Sequence, residues 1–205
     1  MSASTKNQRA VRTLYCNLMY EARHRIDFLL RLCGDEYKFP EQPACELGYL
    51  QLRLICEIIA LACLAVHGDV PGARSAKMRS AHEADYILNS LERLHENFYP
   101  QPGAIVPHPP TGGRAFIPTK ADNMSKRELV RLYWECGEYL HRGDYEGTRK
   151  FPKTELKPIH KAALKIVALL KVHKISFLGS DDEMWVTMAD PTNGNKVTAT
   201  LERPI

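Results

Sequence analysis

The densest gathering of potential acid–base groups in this 205-residue chain is His141, Arg142, Asp144 and Tyr145, with Glu135 and Glu138 within two helical turns. An imidazole beside a carboxylate can move a proton, and a nearby guanidinium can hold an oxyanion. Tyr133, Gly137 and His141 are spaced four apart, so on a helix they stack along one face. A second pair, Arg53 and Glu57, stands inside the otherwise apolar run LGYLQLRLICEIIALACLAV. Cys63 and His67, four apart, could share a metal, but no further ligand follows at zinc spacing, so neither a metal nor a cofactor is expected. G-x-S-x-G, a Walker loop, G-x-G-x-x-G and H-E-x-x-H are all absent, which removes the usual signatures of several large enzyme classes. TGGR at 111–114 has the glycines of a phosphate loop without the following helix and reads as a turn.

The element that must position Arg53, Glu57 and His67 is a helix over Pro43–His67. Pro43 suits a first helical position, and Gly68 with Pro71 suits its end. Apolar around most of its circumference, such a helix belongs inside a core. Glu46, Tyr49, Arg53, Glu57, Ala60, Leu64 and His67 fall in one stripe, a polar seam on a buried rod. A membrane span is disfavoured, because Arg53 and Glu57 would each cost about 2.5–3.5 kcal/mol near its middle. The seam has two readings: a structural pair bonding a neighbouring helix, or a polar pocket or two-fold interface. In either, truncating one partner of a buried pair costs about 3–5 kcal/mol.

The other elements follow from the same periodicity. Residues 6–33 form a long amphipathic first helix with arginines on its outer face, and a third helix runs from about Ser75 to Asn97 with His82 and His95 at the surface. Residues 99–123 carry six prolines and three glycines, and within them AIVPHPP and RAFIPT flank TGG as a short irregular hairpin. Ser125 and Glu128 form a capping box for a fourth helix through Leu140, whose interior Gly137 signals that another backbone passes close by, the central helix being the natural neighbour. A fifth helix spans Phe151–Lys174, with His173 on its apolar side. EMWVTMAD and NKVTATLE then alternate with period two around PTNG, a hairpin that must pack on the helices or on a second copy.

The length suits one core, and 44% hydrophobic with 25% charged residues is ordinary for a globular domain. A net charge of +4 permits a nucleic-acid partner without arguing for one. The basic excess is regional, thirteen Lys or Arg against seven Asp or Glu over residues 120–174. Six cysteines without a CxxC pair read as free thiols of a reducing compartment, and the N-terminal stretch lacks a signal-peptide run, so a cytoplasmic protein is expected.

LGYLQLRLICEIIALACL, LERLHENFYPQP and LVRLYWECGEYLHRGD together resemble a family of bacterial helical proteins of uncharacterised function and, less closely, the HEPN-like superfamily of helical bundles. The resemblance covers most of residues 45–145. It implies a bundle, often dimeric, and in the RNA-cleaving members a site made of an Arg and a His with four to six residues between them. His141 looks equivalent to that His. The matching arginine would have to stand at Trp134, Glu135 or Cys136, and it does not. None of the eight histidines has an arginine at that separation. What the resemblance then implies is a binding or interaction module.

The expectation is a mostly α protein: a bundle of about five helices over 1–174 with a Pro-rich insertion at 99–123, and a C-terminal β-hairpin over 175–205. The expected function is a non-catalytic module, a homodimer, binding a protein partner or nucleic acid through Arg53, Glu57, His67 and His141. The alternative is a divergent ribonuclease or nucleotide-acting enzyme using His141 with Tyr133, Arg142 and Asp144.

Overall fold

The computed structural model of the chain describes residues 3–34, 36–68, 73, 78, 80–108, 112–141 and 155–203. Among them are five α-helices: α1 (Ala3–Cys33), α2 (Glu41–His67), α3 (Ala84–Leu94), α4 (Lys126–Leu140) and α5 (Leu156–Leu170). Helix α2 is the hub and packs against all four others. Its Ala44, Cys45, Leu52, Ile55, Cys56, Ile59, Ala62 and Cys63 are buried, as an apolar rod requires. Tyr15, Met19, Ala22, Ile26 and Leu29 of α1 alternate four and three apart and are all buried, a single stripe laid along α2.

The helix boundaries depart from expectation in places. Helix α2 begins two residues before Pro43, with Pro40 as its N-cap, so Pro43 lies inside the first turn, where its missing N–H costs no hydrogen bond. Gly68 ends it at φ −61°, so a left-handed cap is not the reason for glycine there. Helix α3 is shorter than the Ser75–Asn97 pattern, starting at Ala84 and ending where His95 turns extended; residues 75–77 and 79 lie outside the described ones. The capping box of α4 is present in full: Ser125 Oγ accepts from the Glu128 N–H, and a Glu128 carboxylate oxygen accepts from the Ser125 N–H at 3.0 Å.

The β content exceeds the expected C-terminal hairpin. Five strands, β1 (Gln101–His108), β2 (Gly113–Pro118), β3 (Val172–Ser176), β4 (Glu183–Asp190) and β5 (Lys196–Glu202), form an antiparallel sheet in the order β2-β1-β3-β4-β5. The Pro-rich segment supplies β1 and β2. The last residues assigned to the fifth helix become β3 instead, with His173 and Ile175 alternating inward. Strand β1 pairs with β3 only at Gln101 and Pro102, and beyond that point pairs with β2 alone, from Gly103↔Pro118 to His108↔Gly113.

The sheet curls. Arg114 of β2 reaches Glu202 and Thr200 of β5, although the two strands are at opposite ends of the strand order. Phe116 packs on Trp185 with ring centroids 5.8 Å apart, and Lys174 sits over the Phe116 ring. Gly103 allows this arm to close, since a Cβ there would meet the Phe116 ring and the Ile117 carbonyl. The opposite sheet face puts Ile175, Met184, Val186 and Met188 into the helical core, so both faces of β4 are covered within one chain. The PTNG connection is a 3₁₀ turn over Pro191–Asn193 with Asp190 capping Thr192, followed by Gly194 and Asn195 at φ 61° and 57°, instead of a two-residue turn.

Candidate functional site

Arg53 sits at the α2–α4 crossing. Its Nη2 donates to the Tyr133 hydroxyl at 2.8 Å, its guanidinium carbon lies 4.2 Å from the Tyr133 ring centroid, and its Nε is 3.4 Å from Glu57 Oε1. Gly137 explains how the guanidinium fits, because a Cβ there would stand 2.7 Å from Arg53 Nη1. The close backbone approach expected at Gly137 is therefore corrected: it is the Arg53 side chain of α2, not a backbone, that comes close. The pair is half-buried, with side chains 26% and 24% exposed, so the seam is a boundary feature and the full cost of an enclosed ion pair does not apply. Burial, the largest influence, raises the Tyr133 phenol above its ordinary range, and Arg53 opposes this. The ring is an acceptor and stacking platform, not a base.

His67 stands fourteen residues further along α2, about 21 Å away at 1.5 Å per residue, so it belongs to a different centre. It is buried, with Nδ1 2.8 Å from the Cys63 carbonyl oxygen and Nε2 3.1 Å from the Ser176 carbonyl oxygen. Its contact with Cys63 is thus to the backbone carbonyl. A neutral imidazole can donate to only one of the two carbonyls. Burial, the largest influence, lowers the pKa of the ring, and the His95 ring 5.1 Å away also opposes its charge. His95, expected at the surface, is half-buried and its Nε2 has no hydrogen-bond partner among the described residues. These rings tie the ends of α2 and α3 to the end of β3.

His141 is exposed and caps α4, its backbone N–H donating to the Gly137 carbonyl at 3.0 Å. It lies one turn beyond the glycine that faces Arg53. Arg142, Asp144 and Tyr145 lie outside the described residues. Glu135 pairs with Arg131 on its own helix at 3.4 Å, and Glu138 is exposed. The expected binding residues therefore fall into an Arg53–Glu57–Tyr133 centre with His141 at the end of the same α4, and a separate His67 centre. Between α2, α4 and α5 a groove of about 230 Å³ is lined by Leu52, Leu132, Ala162, Lys161 and Lys165, among others. Lys165 is already held by Asp122 at 2.8 Å and Glu128 at 2.7 Å, and these bonds with the Ser125 cap lower the Glu128 carboxyl to about 2.

Sequence reasoning missed the Tyr15–His173 pair. Tyr15 O–H and His173 Nε2 are 2.8 Å apart and His173 Nδ1 is 2.8 Å from the Leu170 carbonyl, which fits a neutral ring donating from Nδ1 and accepting at Nε2. Burial, the largest influence, lowers His173 to about 4. The residues are 158 positions apart, a separation no local pattern reveals. The thiols of Cys56, Cys63 and Cys136 are buried and raised, Cys136 to about 12, so they remain protonated and unreactive. Among the described residues no group of three His, Cys, Asp or Glu side chains gathers as a metal site.

One face of α2 is only partly covered by the other described elements. Glu46 and Leu50 are exposed, and Leu47, Arg53, Leu54, Glu57, Leu61 and Leu64 are half-buried, all within about a third of the helix circumference. Helix α2 is long and apolar enough to cross a membrane, and half of its most apolar window is buried inside the fold. No family model, curated protein or solved structure matches this chain.

Proposed function

We propose that this chain is a non-catalytic helical module that docks a protein partner on the partly covered face of α2, in the manner of a HEPN-like bundle without its nuclease pair. The observation that carries this reading is the composition of that face: aliphatic at Leu47, Leu50, Leu54, Leu61 and Leu64, with one oriented ion pair, Arg53–Glu57, locked by Tyr133. An aliphatic stripe rimmed by a fixed polar pair suits a helix-in-groove contact, which takes its energy from apolar burial and its register from the polar pair.

Protein is favoured over nucleic acid because many of the basic groups are already spent. Arg23 donates to the carbonyls of Met188 and Asn195, Arg25 pairs with Glu21, and Lys126, Lys165 and Lys174 pair with Glu92, Glu128 and Glu183. A phosphate backbone draws on unpaired cations. The alternative reading, a divergent ribonuclease using His141, is favoured by the Arg53–Tyr133–Gly137 stack that ends one turn before His141.

Labelled RNA incubated with the purified protein separates the two: it stays intact under the docking reading, and cleavage lost in His141→Ala would overturn that reading. Retention of RNA at low salt, weakening steeply as salt is added, would transfer the binding role to the basic surface.

A further inference from the structure

We infer that the groove between α4 and α5 binds a medium-chain aliphatic carboxylate, its tail laid along an apolar floor and its head held between Lys161 and Arg131. The groove exists because α4 and α5 each pack on α2 and are tied to one another at one end. There Lys165 Nζ bonds Glu128 at 2.7 Å and Asp122 at 2.8 Å, and the Met124 N–H donates to the Lys165 carbonyl at 3.1 Å. At the other end Ile159 of α5 lies against Gly48 of α2, next to Tyr49, which also lines the groove. Residues 128–135 of α4 and 158–165 of α5 therefore run antiparallel as its two walls, over about 10 Å at 1.5 Å per residue.

The floor selects the tail. Leu52, Met124 and Leu132 are buried, and the Tyr49 ring is held by stacking on Tyr139 with centroids 4.1 Å apart. A hydrocarbon chain gains by leaving water on such a surface. A sugar or a nucleobase would meet apolar side chains where it needs donors and acceptors.

The rim selects the head. Lys165 is answered twice, by Glu128 and Asp122, and Arg131 is answered by Glu135 at 3.4 Å. Lys161 is exposed, and no described residue pairs with it. Counting on three residues from Glu128 and back four from Lys165 brings Arg131 and Lys161 to the same level on opposite walls. Two cations facing each other over an apolar strip repel, and an anion between them reverses the sign of that interaction. One unanswered cation calls for one negative charge. A multiply charged phosphate head would instead be repelled by Glu128 and Glu135 on the same rim. The site is distinct from the docking face, since Leu50 points to the opposite side of α2 from Leu52.

Amide NMR titrations of the intact chain with butanoate, hexanoate and octanoate test the assignment. Shifts should centre on residues 128–135 and 158–165, and affinity should rise about tenfold for each two methylenes added, the gain expected for buried CH₂ groups. Octylamine, with the same tail and the opposite charge, should bind far more weakly than octanoate. Lys161→Gln should weaken octanoate about fivefold and leave octanol, which lacks the charge, unaffected. Ala162→Phe fills the floor at a half-buried position and should abolish binding of both, with a circular dichroism melt reading whether that variant is folded. Lys161→Gln alters only an exposed side chain and carries the test if the other does not fold.

Absence of shifts with octanoate at millimolar concentration overturns the site. So does an affinity equal for all three chain lengths, octylamine binding as tightly as octanoate, or an octanoate affinity indifferent to Lys161→Gln. Shifts centred on the Leu50 face of α2 would likewise overturn it, by moving the apolar ligand to the docking surface.

Discussion

Gly137 and Arg53 show how one missing side chain sets another. A glycine inside α4 costs about 1 kcal/mol against alanine in helix propensity, and here that cost makes room for a guanidinium. Gly137→Ala should therefore lower stability by about 1 kcal/mol, because the displaced guanidinium loses its bond to the Tyr133 hydroxyl, a loss larger than the propensity gain. In an Arg53→Ala background the same substitution should raise stability by about 1 kcal/mol, a coupling of about 2 kcal/mol. Urea midpoints of the four proteins measure it; additive effects would show that Arg53 is not what the glycine accommodates. Tyr15→Phe makes a separate case. It leaves His173 Nε2 buried without a donor and should cost about 1–3 kcal/mol, read as a drop in melting temperature with native circular dichroism retained. An unchanged melting temperature would mean that the pair is replaceable by packing.

Between elements, α2 meets α5 at a close joint. A Cβ on Gly48 would stand 2.8 Å from Ile159 Cδ1, and Ile159 is fully buried. Gly48→Ala should cost about 1–3 kcal/mol by overpacking, and Ile159→Val should return part of that loss in the double variant, although it destabilises alone. If Gly48→Ala stabilises instead, the two helices can slide apart and the joint is loose. Such joints mark the limit of what the sequence discloses. The rod-like α2, the capping box at Ser125 and Glu128, and the alternation of β4 and β5 are local patterns, and each was legible. Strand β3 was not, because Leu169, Leu170 and His173 keep helical spacing across the point where the backbone turns extended, and only pairing with β4 reveals the change of period. The β1–β2 hairpin was itself legible in AIVPHPP and RAFIPT around TGG, but its joining to the C-terminal strands was not: prolines argue against a central strand, yet this arm needs β3 only at Gln101 and Pro102 before it folds over Trp185. Of the candidate site, spacing foretold Arg53 with Glu57 and the crowding at Gly137. It could not foretell that Tyr133 would answer the arginine, or that His67 would turn to the Ser176 carbonyl 109 positions away.

Across the whole molecule, the histidines that fasten the sheet to the bundle also determine how the protein meets acid. His173 joins α1 to the start of β3, and His67 joins the end of α2 to the end of β3, so both clamps hold the same strand. Burial lowers His173 from 6.5 to about 4 and lowers His67 in the same direction, so the unfolded chain binds these protons at a pH where the folded chain does not. Stability is therefore complete above about pH 6.5 and falls as pH drops toward 4, by roughly 3 kcal/mol for His173 alone. Glu128 acts in the same sense but in a lower window. Lowered from 4.5 to about 2 by Lys165 and its own cap, it contributes in full above 4.5, and that contribution is lost progressively as pH falls from 4.5 to about 2. Acid unfolding should accordingly proceed in two stages, the first releasing the sheet from the bundle and the second releasing α5 from α4. Urea titrations at pH 7.5, 5.5 and 4.5 would record the first stage, and His173→Gln should flatten it while lowering stability at pH 7.5. An unaltered slope between pH 7.5 and 4.5 in that variant would locate the acid sensitivity elsewhere and leave β3 fastened by packing alone.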